Sequence, residues 1–262
     1  MRFASWNINR FAPLSGHSEL LKRIDADIVA LQEVTHQSFN QLRHSLGYDW
    51  SVCSLDTAKA EWPIGKKAVL GTALFGRYPF KLLDVALLNT VALPERFLIA
   101  NISIVGDGIT VCSFHIPCGS TWKTGKSAAF RAITQWAAQQ TMPTVVGIDA
   151  NSPKVDHPIH EHNVWWRGGE ADFLGSRTDH KLQDALRLLF RDNPDRFRKV
   201  AEIHPQGPLA HSYRRGRAAP IYCRYDFIYV SSHFSVQEVS YPYDSSIAAG
   251  SDHSIVVADL TP

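Results

Sequence analysis

Residues 144–151 read Thr144-Val-Val-Gly-Ile-Asp149-Ala-Asn151. A short run rich in β-branched side chains meets a carboxylate, and an amide follows two residues later. An apolar run of this length, closed by turn-forming polar residues, predicts a buried β-strand with an acid at its end. The same arrangement recurs along the chain. Arg2–Trp6 ends in Asn7, Ile28–Gln32 in Glu33, and Ile109–Phe114 in His115. Asp226 lies inside the run Arg224–Val230, and Asp252 and His253 directly precede Ser254–Leu260. Six separate elements thus present a carboxylate, amide or imidazole at or beside a strand edge. Sites assembled from several loops on a rigid scaffold have this form.

Further β-type runs are Trp50–Ser54, Gly71–Phe75, Leu82–Leu88, Phe97–Ile104 and Phe234–Val239. Helical periodicity appears over Glu19–Ile24 (behind the caps Ser15 and Ser18), Thr35–Leu46, Ser127–Gln140 and Asp179–Phe190. Many strands with a few interspersed helices predict an α+β fold, two packed sheets flanked by helices, in one domain spanning 1–262. The 262 residues are 45% apolar and 20% charged, ordinary globular usage that excludes disorder and fibrous repeats. Cys53, Cys112, Cys118 and Cys223 form no C-x-x-C pair, which argues against a cysteine-built zinc site and a disulfide framework. No apolar run approaches the roughly 18–20 residues of a membrane span. Polar Asn7 and Asn9 break up the opening residues, so they do not read as a signal peptide. The expectation is a cytoplasmic monomer.

Lys+Arg number 27 and Asp+Glu 25, a net charge of +2 that by itself points to no polyanionic partner. The charge is unevenly spread. Arg187–Arg224 carries nine basic residues against three acids, a local +6.

The residues at the strand edges limit the chemistry. Carboxylate and amide oxygens without thiolates suit a hard cation such as Mg²⁺ or Mn²⁺. Two histidines add groups that titrate near neutral pH. Together they suit metal-assisted hydrolysis of a phosphate ester. Each residue alone also has an ordinary reading: Asn7 and Asn151 as turn formers, Glu33 as a helix cap, His115 as a satisfied core histidine. Asp226 resists one, because a buried carboxylate needs a partner.

Read in order, these motifs resemble the endonuclease/exonuclease/phosphatase superfamily over essentially the whole chain. Ser5-Trp6-Asn7-Ile8-Asn9 resembles the opening strand with its metal-binding Asn, and Asp27–Val34 the second motif with its metal-binding Glu33. Gly71–Pro79 is similar to the third strand, whose Arg77 lies near substrate. His115-Ile-Pro-Cys-Gly119, Asp149-Ala-Asn151, Arg224-Tyr-Asp226 and Ser251-Asp252-His253 match the later motifs. There are departures. Ile148 stands where the family usually has Gly, with Gly147 one residue earlier, and Ile255 replaces a Pro. His115 and Cys118 replace the Tyr and Asn of the exonuclease-III-like repair branch. The resemblance implies a four-layer sandwich of two mixed sheets and in-line attack of water on phosphorus. In it Asn7, Glu33 and Asp252 hold Mg²⁺ (or Mn²⁺), and Asp149 and Asn151 orient water and a phosphate oxygen. His253, oriented by Asp226, contacts the phosphate, and His115 donates a proton.

The substrate reading is a nuclease acting on DNA or RNA, with a small phosphoester or lipid headgroup as the alternative. The basic segment, with Ser212, Arg214 and Arg215, is expected to rim the site and grip backbone phosphates. Trp165-Trp166 offer a stacking surface for a base, or plain packing. His157, His160 and His162 read as a solvated loop.

Overall fold

The computed structural model describes residues 1–10, 12–57, 70–104, 106–216 and 218–262. Numbered in chain order, the strands are β1 (Arg2–Asn7), β2 (Ile28–Val34), β3 (Trp50–Cys53), β4 (Gly71–Gly76), β5 (Lys81–Leu87), β6 (Phe97–Ile104), β7 (Asp107–His115), β8 (Thr144–Asp149), β9 (Gln183–Asp184), β10 (Tyr213–Arg215), β11 (Ile221–Cys223), β12 (Asp226–Val230), β13 (Ser235–Ser240) and β14 (Val256–Thr261). The helices are α1 (Ser15–Ile24), α2 (His36–Leu46), α3 (Ser54–Thr57), α4 (Gly119–Trp122), α5 (Thr124–Ala138), α6 (Glu170–Leu174), α7 (Ala185–Asp192), α8 (Pro194–Ile203) and α9 (Tyr243–Ala248).

Two six-stranded mixed sheets form, in the orders β13-β14-β1-β2-β4-β3 and β5-β6-β7-β8-β12-β9; β10 and β11 make a separate hairpin. Each sheet has one parallel pair near its centre, β1/β2 and β7/β8. A parallel connection needs a crossover, and α1 and α5 supply it. In both pairs the polar residue lies at the carboxyl end, where ligands of α/β sheets bind. That is why Asn7, Glu33, His115 and Asp149 share one rim although they are far apart in sequence.

The apolar groups form three layers between four layers of secondary structure. Phe3, Ile28, Leu98, Val111, Val145 and Val256 lie between the sheets. Phe114, Phe130, Ile133 and Phe173 fill the space under α5 and α6. Trp6, Leu20, Leu31, Phe39 and Phe75 fill that under α1 and α2. The two packed, helix-flanked sheets expected from the strand pattern are present.

The sheets approach closely behind the rim because the residues there are small. A Cβ on Gly147 would stand 2.6 Å from Ser5 Oγ and 3.0 Å from Ala30 Cβ. Gln32 Nε2 donates within its own sheet to Ser5 Oγ (3.2 Å) and across the gap to Ser113 Oγ (3.1 Å). The glycine displaced by one position therefore has a steric reason. Gly147→Val is expected to cost about 1–3 kcal/mol through overpacking, read as a lowered urea midpoint. An unchanged midpoint would mean that the sheets do not meet there.

Several boundaries differ from expectation. Asp179–Phe190 is not one helix. Gln183 and Asp184 pair with Val230 and Tyr229 as an edge strand, and the Asp184 carboxylate then caps α7 by accepting from the Leu186 N–H at 3.0 Å. Glu19–Ile24 is the last part of a longer α1. Within the basic segment, α7 and α8 carry Arg187, Arg191, Arg196, Arg198 and Lys199, and the β10–β11 hairpin carries Arg214 and Arg215.

Candidate active site

The rim residues form one hydrogen-bonded cluster. Asn7, 1% exposed, donates from Nδ2 to Asp149 Oδ2 at 2.9 Å, and its Oδ1 accepts the Asn9 N–H at 3.0 Å. This bond joins the two sheets at the site. Asp149, fully buried, also accepts from the Asn151 backbone N–H at 3.0 Å. Asn151 has φ +49, as short polar residues can in turns, and its Nδ2 donates to the Ile116 carbonyl at 3.0 Å.

Glu33 sits at a register shift between Gln32 and Val34, with φ +56. A bulge re-aims a side chain out of the strand's alternation, here toward His115. His115 Nε2 lies 3.9 Å from Glu33 Oε1 and 3.6 Å from Asp149 Oδ2. Its Nδ1 has no hydrogen-bond partner among the described residues. Burial, with the nearby Arg96 and His253 cations, pushes this imidazole well below its ordinary pKa, so it is neutral at pH 7.

His253 is the opposite case. Its Nδ1 lies 2.9 Å from Asp226 Oδ2 and 3.1 Å from Oδ1. Burial opposes the charged ring, but Asp226, Asp149, the Asp226 hydrogen bond and Asp252 outweigh it and push it up to about 10. Asp149 is pushed up to about 7 by burial and by the Asp226 charge, against the pull of His253. Two imidazoles displaced in opposite directions, His115 down and His253 up, beside a raised carboxyl in one cleft, mark a functional site. Asp226, His253 and Asp149 lie close enough together to be taken for a metal cluster. Asp226 already embraces the His253 Nδ1 edge, so the space between those two belongs to a proton.

Glu33, Asn7 and Asp252 supply the carboxylate and amide oxygens that could hold a cation. The Glu33 carboxylate accepts a long, 3.5 Å bond from the Arg10 N–H and lies 3.9 Å from His115. Asp252 is exposed, and no hydrogen bond or ion pair among the described residues engages its carboxylate. Oxygen ligands of this kind match Mg²⁺ or Mn²⁺.

Three substrate-binding expectations need correction. Arg77 follows β4, whose partner there is Ile28, so it lies at the end of the sheet away from Glu33. It is held by Asp25 (2.5 Å) and Asp27 (3.2 Å). Ser212 is fully buried, and its hydroxyl oxygen accepts the backbone N–H groups of Tyr225 (2.7 Å) and Asp226 (3.1 Å). It fixes the Asp226 strand and has no surface for a phosphate. In the positive segment several arginines are already paired with acids: Arg187 with Asp156, Arg191 with Asp192, Arg196 with Glu238, Arg198 with Asp195. Arg224 is buried on Asp184. Arg217 lies outside the described residues. Arg214 is exposed on the hairpin.

Arg215 does reach a cavity beside Asn151. This cavity, about 400 Å³, is lined by Trp166, Arg167, Tyr213, Arg215 and Tyr225 among others. The Tyr213 and Tyr225 rings are stacked at 5.4 Å, and Tyr213 lies 4.7 Å from the His253 ring. The Arg215 guanidinium lies 4.7 Å from the Trp166 ring. Trp165 packs on the core under α5 instead. Residue-by-residue reading missed Tyr213, Tyr225 and Arg167, which carry no motif signal. It also missed Arg96, a half-buried cation that feels Glu33, Glu95 and Asp149. Its only sequence cue was its place at the start of a strand. The three histidines form a local turn: His160 Nε2 lies 2.8 Å from the Leu174 carbonyl, and His157 Nδ1 accepts the Ile159 N–H.

The family model described as "Endonuclease/Exonuclease/phosphatase family" matches residues 4–253. No curated protein matches the sequence. Among solved structures, TDP2 from D. rerio complexed with single strand DNA product is 14% identical, with a TM-score of 0.69 over 100% of this chain and 99% of that one. The mannosyl-6-phosphatase of Bacteroides thetaiotaomicron is 17% identical, with a TM-score of 0.63 over 100% of both chains. The human Nocturnin catalytic domain with bound sulfate anion is 21% identical, with a TM-score of 0.62 over 100% and 94%. At these identities the likeness is one of fold.

Proposed function

The chain belongs to the Endonuclease/Exonuclease/phosphatase family, whose members hydrolyse phosphoester bonds, and from that premise we propose that it is a divalent-metal-dependent nuclease. The observation that carries the reading is the cavity between Asn151 and the stacked Tyr213–Tyr225 pair. Aromatic faces and guanidinium groups beside a phosphate-handling cluster suit a nucleotide, with the ring stacked and the phosphate paired. Its size also admits a small phosphoester, the second reading.

Glu33, Asn7 and Asp252 would hold Mg²⁺, which supplies charge stabilisation to phosphate oxygens. The remaining roles belong to the chain's own groups. Asp226 occupies His253 Nδ1, which leaves the Nε2–H of a protonated imidazole free to donate to a phosphate oxygen. Asp149 accepts the proton of the attacking water. The Asn151 amide nitrogen is engaged by Ile116, which leaves its Oδ1 to orient that water. Neutral His115 offers one ring proton to the phosphate or leaving group.

The test is incubation with single-stranded DNA, RNA, duplex DNA and a panel of sugar phosphates, with Mg²⁺ or with EDTA. Cleavage of oligonucleotides, abolished by EDTA, is expected. Turnover of the sugar phosphates alone would overturn the nuclease reading, and activity that survives EDTA would overturn the metal assignment. Salt dependence should be shallow. With two arginines on the cavity wall, Arg167 and Arg215, about 0.7 per phosphate contact gives a log–log slope of roughly −1.4 on single strands.

A further inference from the structure

Lys126 and Glu170 are 1% and 0% exposed, and Nζ lies 2.9 Å from Oε1. One comes from α5, and the other is the first residue of α6. Removing two charges from water is costly, and apolar pairs of similar volume are often as stable or more so. Stability is therefore a poor reason for this pair, and its other bonds lead toward the candidate site. Lys126 Nζ donates to the Asn151 carbonyl at 2.6 Å. Glu170 Oε2 accepts the Trp166 backbone N–H at 2.6 Å.

The backbone around the pair is shaped to allow this approach. Gly169, just before Glu170, has φ +88, and a Cβ on it would stand 2.7 Å from the Ser127 carbonyl. Only glycine lets the start of α6 lie so close to α5 in that conformation. Asn151 and Trp166 lie near the two ends of the connection from β8 to α6 and line the same cavity. The ion pair is thus a fully buried strut from the loop after β8 to the cavity's tryptophan wall.

We propose that Lys126–Glu170 is a positioning unit that sets Asn151 and Trp166 at a fixed separation, so that the water-orienting amide and the aromatic wall engage one substrate. The two residues act through Asn151 and Trp166, not on the reacting atoms. The functional half of the proposal rests on the phosphodiesterase reading, and the geometric half does not.

The test compares the full-length parent with Lys126→Met/Glu170→Leu, using bis(4-nitrophenyl) phosphate and Mg²⁺. The double variant is expected to melt within a few degrees of the parent, while kcat falls about ten- to a hundredfold, the scale of a small misplacement. A merely structural pair predicts recovery of both. A double variant with the parent's Tm and a kcat within twofold overturns the proposal. A second variant, Glu170→Gln, covers the case in which the first does not fold. A second measurement needs no turnover: acrylamide quenching of Trp166, isolated by subtracting the Trp166→Phe counterpart of each protein. Quenching at least doubled in either variant supports the strut, and unchanged quenching overturns it. A parent that hydrolyses nothing refutes the phosphodiesterase reading, and the quenching result still decides the geometry.

Discussion

Asp149→Asn is expected to lower hydrolysis by about 10²–10⁴-fold, the range for losing a positioned base, and at the same time to make the metal-free protein harder to unfold at pH 8. The two effects have one origin. Asp149 is fully buried and faces Asp226, and burial and that charge push its pKa from 3.8 up to about 7. A carboxyl group whose folded pKa is raised binds its proton more tightly folded than unfolded. Folding stability therefore falls as pH rises from about 4 to 7, and the full cost is present at pH 8. Asparagine carries no such cost. It does turn one amide hydrogen toward donors from Asn7 and Asn151, which offsets part of the gain. At 1.36 kcal/mol per pKa unit, less that loss, the expected gain is about 1–3 kcal/mol. Urea titrations in EDTA should show the gain shrinking below pH 7 and absent by pH 4. A gain independent of pH, or a variant that still hydrolyses at the parental rate, would sink the assignment. The rim residues cannot be exchanged without effect on stability. They are buried and paired with one another, so their removal is felt in the fold.

The second large effect lies behind the site. Arg224→Met is expected to destabilise the protein by about 3–5 kcal/mol, the cost of breaking a buried pair from one side. Arg224 is 1% exposed. Its guanidinium meets Asp184 Oδ2 at 2.8 Å and Asp156 Oδ2 at 3.5 Å, and its Nε donates to Tyr241 Oη at 2.9 Å. Tyr241 in turn donates to the Asp226 carbonyl at 3.0 Å. The substitution turns apolar carbon toward the buried Asp184 carboxylate, leaves Asp156 with Arg187 alone, and loosens the strand that carries Asp226. Adding Asp184→Asn should restore part of the loss, and a thermodynamic cycle over the two sites measures the coupling. A single variant within about 0.5 kcal/mol of the parent would show that Arg224 is solvated, as an arginine counted only by charge would be.

Arg224 also marks the limit of reading charge from sequence. It and its neighbours look like a cationic face for a polyanion. Sequence separation does not reveal that Asp156 and Asp184 fold against Arg187 and Arg224, so part of the local +6 is neutralised inside the fold. Arg77 fails for a related reason. Its strand runs antiparallel to β2, and that direction takes it to the far end of the sheet, onto Asp25 and Asp27. The helix expected over Asp179–Phe190 was misread because Asp184 serves two elements, the last residue of an edge strand and the cap of α7. The rim groups Asn7, Glu33, His115, Asp149, Asp226 and His253 were legible because each interrupts or ends an apolar run. A polar group there is costly unless it is paired or used.

What the sequence determined by itself was the alternation of apolar runs with polar ends, and hence two packed sheets and the roster of groups at one rim. Hydrophobic periodicity is local, and a misplaced charge is visible without knowing its neighbours. Only the tertiary structure decided which of those groups meet. The close approach at Gly147 brings Asn7 onto Asp149, burial keeps the His115 ring neutral while Asp226 and Asp149 hold the His253 ring protonated, and the Lys126–Glu170 strut closes the cavity around Asn151 and Trp166. Distances across a sheet interface and the loss of water around a charge belong to the packed molecule, and no local pattern encodes them.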